Sequence, residues 1–165
     1  MTAPVQVVAP TRGAQHQALA VFLGHWRAEG QSYGGPKQPV DHPKSAAERW
    51  VSTHSGRWHP GEFFLIQDER ALIDNSPFDT LSLMGVDAET GRYFARSIEN
   101  HGFYRDYGLS VVGQVWTLTG DKERARIEFS ADGRTQTIQW EWRPEDRWLP
   151  LCDRVAHLED EQGSL

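Results

Sequence analysis

The sequence predicts an all-β protein, a single antiparallel up-and-down β-barrel of about eight to ten strands with a short N-terminal helix at its closed end. Three observations predict this fold. Short segments rich in β-branched and aromatic residues alternate polar and apolar side chains with a period of two. Turn-forming residues separate these segments at short intervals. Helical spacing occurs only near the N-terminus.

The composition fits one globular domain. The chain has 165 residues, of which 38% are hydrophobic and 24% are charged. Residues 1–13 are rich in proline, valine and alanine without a period, and we interpret them as a flexible arm. Residues 14–158 form the predicted barrel domain, and residues 159–165 an acidic C-terminal tail.

The charge and the termini restrict the partners. A net charge of -6 would repel a nucleic-acid backbone, and no apolar run is long enough to span a membrane. The N-terminus lacks the pattern of a secretory signal, so we expect a cytoplasmic protein. A single cysteine, Cys152, agrees with a reducing compartment. The sequence leaves open whether the chain forms a homodimer.

The helix is predicted before the first strand. In His16–Leu23, the side chains of Leu19, Phe22 and Leu23 recur at helical spacing, and Gly24 ends the pattern. We expect this helix to pack against one end of the barrel through its apolar edge.

The strands follow from the alternation and the turns. The clearest hairpin surrounds Asp132–Gly133, because the segments on both sides of it have one apolar and one polar face. The chain has up to eleven candidate segments joined by short links, which favours a meander. These segments lie near 24–33, 46–54, 62–69, 71–74, 79–86, 92–99, 103–111, 113–119, 124–130, 134–142 and 147–158.

Several blocks carry a resemblance to known barrels. Gly24-x-Trp26 in the first strand after a short helix resembles the lipocalin-like (calycin) barrels, including their fatty-acid-binding-like and nitrobindin-like branches. The blocks "FLGHWRAEG", "HPGEFFLIQDERA" and "LSLMGVDAETGRYFARSIENHG", followed by "RIEFSADGRTQTIQWEWRPEDRWLPLCDRV", resemble a bacterial family known only as a domain of unknown function. The likeness covers about residues 20 to 158 and implies the barrel fold without a settled activity.

The resemblance also implies how the barrel closes. Gly24 would let the chain enter the sheet close to its neighbours, and the Trp26 indole would plug the narrow end. In lipocalins, an arginine of a late strand lies across this tryptophan as a cation–π lid. Arg154, or failing it Arg143, is the candidate here.

The aromatic and cationic side chains predict an internal ligand site. An apolar wall with a few polar groups is how cavities orient an amphipathic molecule. Because a desolvated guanidinium needs a partner, we predict that Arg96 is the polar anchor. The alternatives are that Arg96 reaches the rim or pairs with Glu62 or Asp68. The predicted ligand-binding residues are Trp50, His54, Phe64, Phe94, Arg96, Tyr107, Trp140 and His157.

No motif predicts catalysis or a metal site. The seven histidines are not arranged as H-x-H, H-x-x-x-H or H-E-x-x-H. Cys152 has no neighbouring motif that would activate a thiol, so we interpret it as inert. Three carboxylates lie on strand segments where an inward direction is open, but we favour a solvated or ion-paired role for them. They are Glu62, Asp68 and Glu69.

Four functions remain open. The favoured one is binding of a small hydrophobic or amphipathic molecule without catalysis and without a cofactor. The second is haem binding, because nitrobindin-like barrels resemble this chain at "LGHWRAEG" and carry the iron ligand on the last strand, where this chain has His157. The third is a small isomerase, cyclase or hydrolase acting in the cavity. The fourth is a purely structural role.

Overall fold

The computed structural model describes residues 2–161 and contains one closed barrel of ten antiparallel strands. Consecutive strands are neighbours around the ring, and the first strand closes it by pairing with the last. The predicted all-β up-and-down fold is confirmed. The strands are β1 (Gly24–Ser32), β2 (Glu48–Trp58), β3 (Phe64–Ile73), β4 (Ser76–Val86), β5 (Tyr93–Glu99), β6 (Tyr104–Val112), β7 (Val115–Thr119), β8 (Glu123–Phe129), β9 (Thr135–Trp142) and β10 (Leu149–Leu158).

One predicted break between strands is wrong. The segments predicted at 62–69 and 71–74 form the single strand β3, which continues to Ile73. The turn follows instead at Asp74 and Asn75, whose φ angles are 45° and 70°. A tight hairpin needs such left-handed residues, and Asp and Asn adopt this conformation more readily than most residues.

A short helical segment covers one end of the barrel, which we call the closed end. Helix α1 (Ala14–Ala18) continues into a 3₁₀ turn, Leu19–Phe22. Leu19 and Phe22 are buried in the main core. The Phe22 ring meets Trp116 and Phe129 edge to face, each with ring centroids 5.2 Å apart. Edge-to-face packing of this kind anchors the helix on the barrel.

Gly24 and Trp26 both lie at the closed end. Gly24 has a φ of +106°, and a Cβ at this position would stand 2.7 Å from Cδ1 of Leu158. Only glycine fits such a close approach at a positive φ. Trp26 is 1% exposed, and its indole Nε1 donates to the carbonyl oxygen of Leu23 at 3.2 Å.

Residues 2–13 and 159–161 form neither helix nor strand. The helix begins at Ala14 and β10 ends at Leu158, while residues 162–165 of the predicted acidic tail lie outside the described residues. No helix within residues 2–161 is long and apolar enough to cross a membrane.

The interior has two different halves. Toward the closed end, the inward side chains belong to one apolar cluster and are buried. Toward the other end, which we call the open end, inward positions carry serine, threonine, glutamine and charged residues. The buried apolar residues include Leu65, Met84, Ala95, Leu109, Leu118, Ile138 and Ala156.

Candidate functional site

The interior of the open half remains accessible to solvent. Gln67, Ser82 and Ser97 are cross-strand neighbours on β3, β4 and β5. They share the inward parity of buried Leu65 and Met84, yet each stays only half-buried. An inward side chain keeps contact with water only where the interior is not filled. Solvent therefore reaches the interior beside these three polar side chains, and we call this region the accessible space.

Four polar residues form a buried group beside this space, which we call the interior polar cluster. Glu69 on β3 is at its centre and is 6% exposed. Its Oε1 accepts a hydrogen bond from Ser52 Oγ at 2.9 Å and another from Arg154 Nη1 at 3.0 Å. His54 Nδ1 lies 4.0 Å from the same oxygen. Strand pairing brings these residues together. β2 lies beside β3, and β1 lies between β2 and β10 in the ring.

Trp50 connects the cluster to the apolar wall. Its indole Nε1 donates to Ser52 Oγ at 3.0 Å, and the guanidinium carbon of Arg154 lies 4.4 Å from the ring centroid. Trp50 also packs with Ala71 and Cys152 in a small apolar cluster. The tryptophan therefore shields one face of the guanidinium from water, and a desolvated cation–π contact of this type is worth about 2 kcal/mol.

His54 is a neutral imidazole inside the barrel. Its ring stacks on Trp26 with centroids 6.0 Å apart and planes 10° apart. Nδ1 and Nε2 are both buried without a hydrogen-bond partner. Burial lowers the pKa of His54 to about 4, although Glu69 opposes this effect. His54 therefore adds no charge to the cluster near neutral pH.

Arg154 lies inside the barrel, but not where the resemblance places it. It covers Trp50 rather than Trp26, so the predicted lid over the closed end is wrong. Trp26 is covered by the neutral His54 instead. Burial opposes the charge of Arg154, but the Glu69 carboxylate raises the pKa of the guanidinium, which stays charged. Its Nε is buried without a hydrogen-bond partner.

A second polar group faces the same interior from β6 and β8. The Tyr107 hydroxyl donates to Glu123 Oε2 at 2.7 Å, and Arg105 Nε donates to Glu123 Oε1 at 3.2 Å. The Tyr107 ring meets Trp140 edge to face with centroids 5.5 Å apart. Burial and the nearby carboxylate raise the pKa of Tyr107, so its phenol stays protonated.

The structure divides the predicted ligand-binding residues between the two sides of the sheet. Trp50, His54, Tyr107 and Trp140 face the interior. Phe64, Phe94, Arg96 and His157 lie on the outer surface, so their predicted place on the cavity wall is wrong.

The outer phenylalanines have a packing role. Phe64 and Phe94 flank Gly85, their neighbour on β4, where a Cβ would lie 2.5 Å from Phe64 Cδ1 and 3.1 Å from Phe94 Cζ. The two rings thus cover the glycine from outside the barrel, as aromatic residues do across strand pairs.

Arg96 and His157 face solvent. Arg96 Nε lies 3.0 Å from Asp106 Oδ1, with the two side chains 58% and 61% exposed. The His157 side chain is exposed, and its Nδ1 lies 3.3 Å from Thr135 Oγ1. His157 therefore cannot ligate a haem iron in the interior.

Several inward positions of the barrel carry charged side chains. Glu69, interpreted as solvated or ion-paired, is buried and ion-paired at the centre of the cluster, whereas Glu62 and Asp68 lie outside. Arg105 shares the parity of Tyr107 that predicts an inward position, whereas no local motif indicates Ser52 or Glu123. A signal was present, because Glu69 shares the parity of Leu65 and Ala71, the most buried positions of β3.

Cys152 supports an experimental check of burial on the open half. It is 4% exposed, and burial raises the pKa of its thiol to about 11. We expect the folded protein to react with iodoacetamide at pH 8 about 100-fold more slowly than the protein unfolded in denaturant, because the thiolate is the reactive form. Mass spectrometry of the alkylated fraction over time measures both rates. Equal rates would show that Cys152 is exposed in solution.

A separate groove of about 610 Å³ lies on the outer surface of β1 to β4. Arg27, Arg49 and Arg70 border it, and two of these arginines are engaged by carboxylates. The groove is open and lies on the opposite side of the sheet from the interior polar cluster. Within residues 2–161, no group of three or more His, Cys, Asp and Glu side chains is placed to hold a metal ion.

Comparisons with known proteins agree with this architecture. The profile of the family described as "Protein of unknown function (DUF1579)" matches residues 11–146. The crystal structure of Rv2717c from M. tuberculosis is similar, with a TM-score of 0.65 and 16% identity over 90% of this chain and 99% of that one. The S-type phycobiliprotein lyase CPES from Guillardia theta is also similar, with a TM-score of 0.56 and 10% identity over 92% of this chain and 96% of that one. No curated protein sequence matches significantly.

Proposed function

The chain belongs to the DUF1579 family, and from this premise we propose that it binds a small amphipathic molecule in the open half of its barrel, without catalysis. One observation carries the proposal. Gln67, Ser82 and Ser97 face the barrel interior, yet they keep contact with solvent. A protein interior is normally close-packed, so accessible space between small inward side chains is the feature of a ligand cavity.

The lining suits an amphipathic molecule. Trp50, Phe78 and Trp140 supply apolar surface close to the accessible space. The interior polar cluster and the Tyr107–Glu123 group supply hydrogen-bonding atoms on either side. A few fixed polar groups on an apolar wall orient a ligand and give selectivity.

Binding is tested with Nile red, an uncharged dye whose fluorescence rises in apolar surroundings. We expect the protein to bind the dye and the Ser97→Phe substitution to weaken binding at least about tenfold, since the new ring would occupy the interior space. Ser110→Phe is the matched control, because Ser110 is exposed on the outer face of β6. Fluorescence titration measures the Kd of each variant.

Two results would contradict the proposal. One is dye binding that Ser97→Phe leaves unchanged, which would place the dye on the outer surface. The other is equal weakening by both substitutions. Circular dichroism spectra of the variants establish that the barrel is intact in each comparison.

A further inference from the structure

We infer that the barrel selects an uncharged ligand with a hydroxyl or carbonyl oxygen and discriminates against carboxylates of the same chain length. The inference rests on the proposed function and specifies its ligand. It departs from the sequence-based expectation of an acidic ligand held by an arginine, because Arg96 lies outside the barrel.

Both inward arginines that border the accessible space already have a carboxylate partner. Arg154 Nη1 lies 3.0 Å from Glu69 Oε1, with the two side chains 9% and 8% exposed. Arg105 Nε lies 3.2 Å from Glu123 Oε1, with 32% and 19% exposure. Each pair is neutral as a unit, so neither leaves an uncompensated positive charge for an anion.

The other inward titratable groups add no positive charge. His54 is neutral near pH 7 because burial depresses the pKa of its imidazole to about 4. Glu99 adds a carboxylate at the open end of β5, where backbone N–H groups of His101 and Phe103 donate to it at 2.8 and 3.0 Å and His101 Nδ1 lies 2.6 Å from its Oε2. A ligand carboxylate would therefore enter a neutral to negative interior and lose its hydration without compensation.

The interior offers hydrogen-bond donors to an uncharged oxygen. Arg154 Nε is a buried donor without an acceptor, and the neutral His54 ring has one N–H donor and one acceptor nitrogen that both lack partners. A buried donor that finds no partner destabilises the structure. A hydroxyl or carbonyl oxygen that reaches the cluster can accept from such a donor, and the hydroxyls of Ser82 and Ser97 can donate to it within the accessible space, without the addition of a buried charge.

The test compares three competitors with the same ten-carbon chain, namely decan-1-ol, decanoate and decylammonium, for displacement of Nile red at pH 7.5. We expect decan-1-ol to displace the dye at a concentration at least about tenfold below that of decanoate, which corresponds to about 1.4 kcal/mol. Decylammonium is expected to be weaker than the alcohol, because its charge also loses hydration. This ranking uses the unsubstituted protein, so it does not depend on the folding of any variant.

A substitution should weaken the preference for the alcohol. Glu69→Gln removes the negative charge while keeping an acceptor oxygen for Ser52, so Arg154 becomes available to an anion. In this variant we expect the affinity for decanoate, measured by displacement of Nile red, to rise at least about tenfold relative to that for decan-1-ol. Glu123→Gln frees Arg105 closer to the solvent and serves as the second variant if Glu69→Gln does not fold. Arg96→Met is the matched control on the outer face, and we expect it to change no ranking.

The outcomes separate the inference from the proposed function. If decanoate or decylammonium displaces Nile red better than decan-1-ol from the unsubstituted protein, the inference is overturned and ligand binding stands. If the alcohol ranks first but a folded Glu69→Gln or Glu123→Gln variant shows no relative gain for decanoate, the charge argument is wrong. If Ser97→Phe has no effect on Nile red binding, the proposed function itself fails.

Discussion

Replacing Arg154 by methionine is expected to destabilise the protein by about 3–5 kcal/mol, because it leaves the Glu69 carboxylate buried without its charged partner. Glu69 is 6% exposed and accepts from both Arg154 and Ser52. Methionine keeps most of the apolar stem of arginine, so the loss reports the charge rather than a large cavity. Urea unfolding followed by tryptophan fluorescence measures the change in the free energy of unfolding.

The reciprocal substitution and the double variant complete the cycle. Glu69→Leu should cost a similar amount, since it leaves Arg154 unpaired. The double variant removes both charges, and we expect its loss to be smaller than the sum of the two single losses by at least about 2 kcal/mol. Buried ion pairs behave in this way because desolvation of the charges offsets much of their attraction.

The outer pair of Arg96 and Asp106 is the control. Its atoms are also 3.0 Å apart, but the side chains are 58% and 61% exposed. A solvated pair of this kind contributes about 0.2–1 kcal/mol, so Arg96→Met and Asp106→Leu should have small effects. If substitutions at the inner and outer pairs lowered the free energy of unfolding by similar amounts, Arg154 and Glu69 would not be buried in solution.

Acid should destabilise the protein through His54. Burial lowers the pKa of this imidazole from 6.5 to about 4 in the folded protein. As the pH falls below 6.5, the unfolded chain takes up a proton on His54 and the folded protein does not. The stability contributed by the neutral His54 is therefore complete above this pH and decreases as the pH falls toward 4, by about 3 kcal/mol in total.

His54→Phe removes this titration and keeps a ring that can stack on Trp26. The difference in unfolding free energy between the variant and the unsubstituted protein should shift by about 2 kcal/mol in favour of the variant between pH 7.5 and pH 5. Urea unfolding at several pH values measures this difference. The titration of the carboxylates is the same in both proteins and cancels in the comparison. His25→Phe is the control, because His25 is exposed on β1. Parallel pH profiles for His54→Phe and the unsubstituted protein would rule out a buried neutral imidazole.

The fold could be read from local patterns. Ala125, Ile127 and Phe129 alternate with charged residues, and this alternation predicts a strand. The apolar side chains then share the face that is buried, and the charged side chains share the face toward solvent. This signal lies within a few residues of the chain. The place of Gly24 and Trp26 at the closed end is instead what the resemblance to lipocalin-like barrels implies.

The site could be predicted only in part. A period of two separates the faces of a strand, but it does not say which face is inside when both carry apolar residues. In β5 the predicted inward face is therefore the wrong one. Phe94 points outward to cover Gly85, and the small residues Ala95 and Ser97 point inward. The partners of Glu69 come from β2 and β10, and nothing in the local sequence of β3 reveals them.

The closed ring has a consequence for how the protein can associate with other chains. Each strand from β1 to β10 is hydrogen-bonded to a neighbour on both sides. Extended peptides and aggregating proteins join a sheet at a strand whose backbone N–H and C=O groups lack partners along one side. Within residues 2–161 the sheet offers no such edge while β1 and β10 stay paired. Strand-by-strand aggregation therefore first requires the seam between β1 and β10 to open.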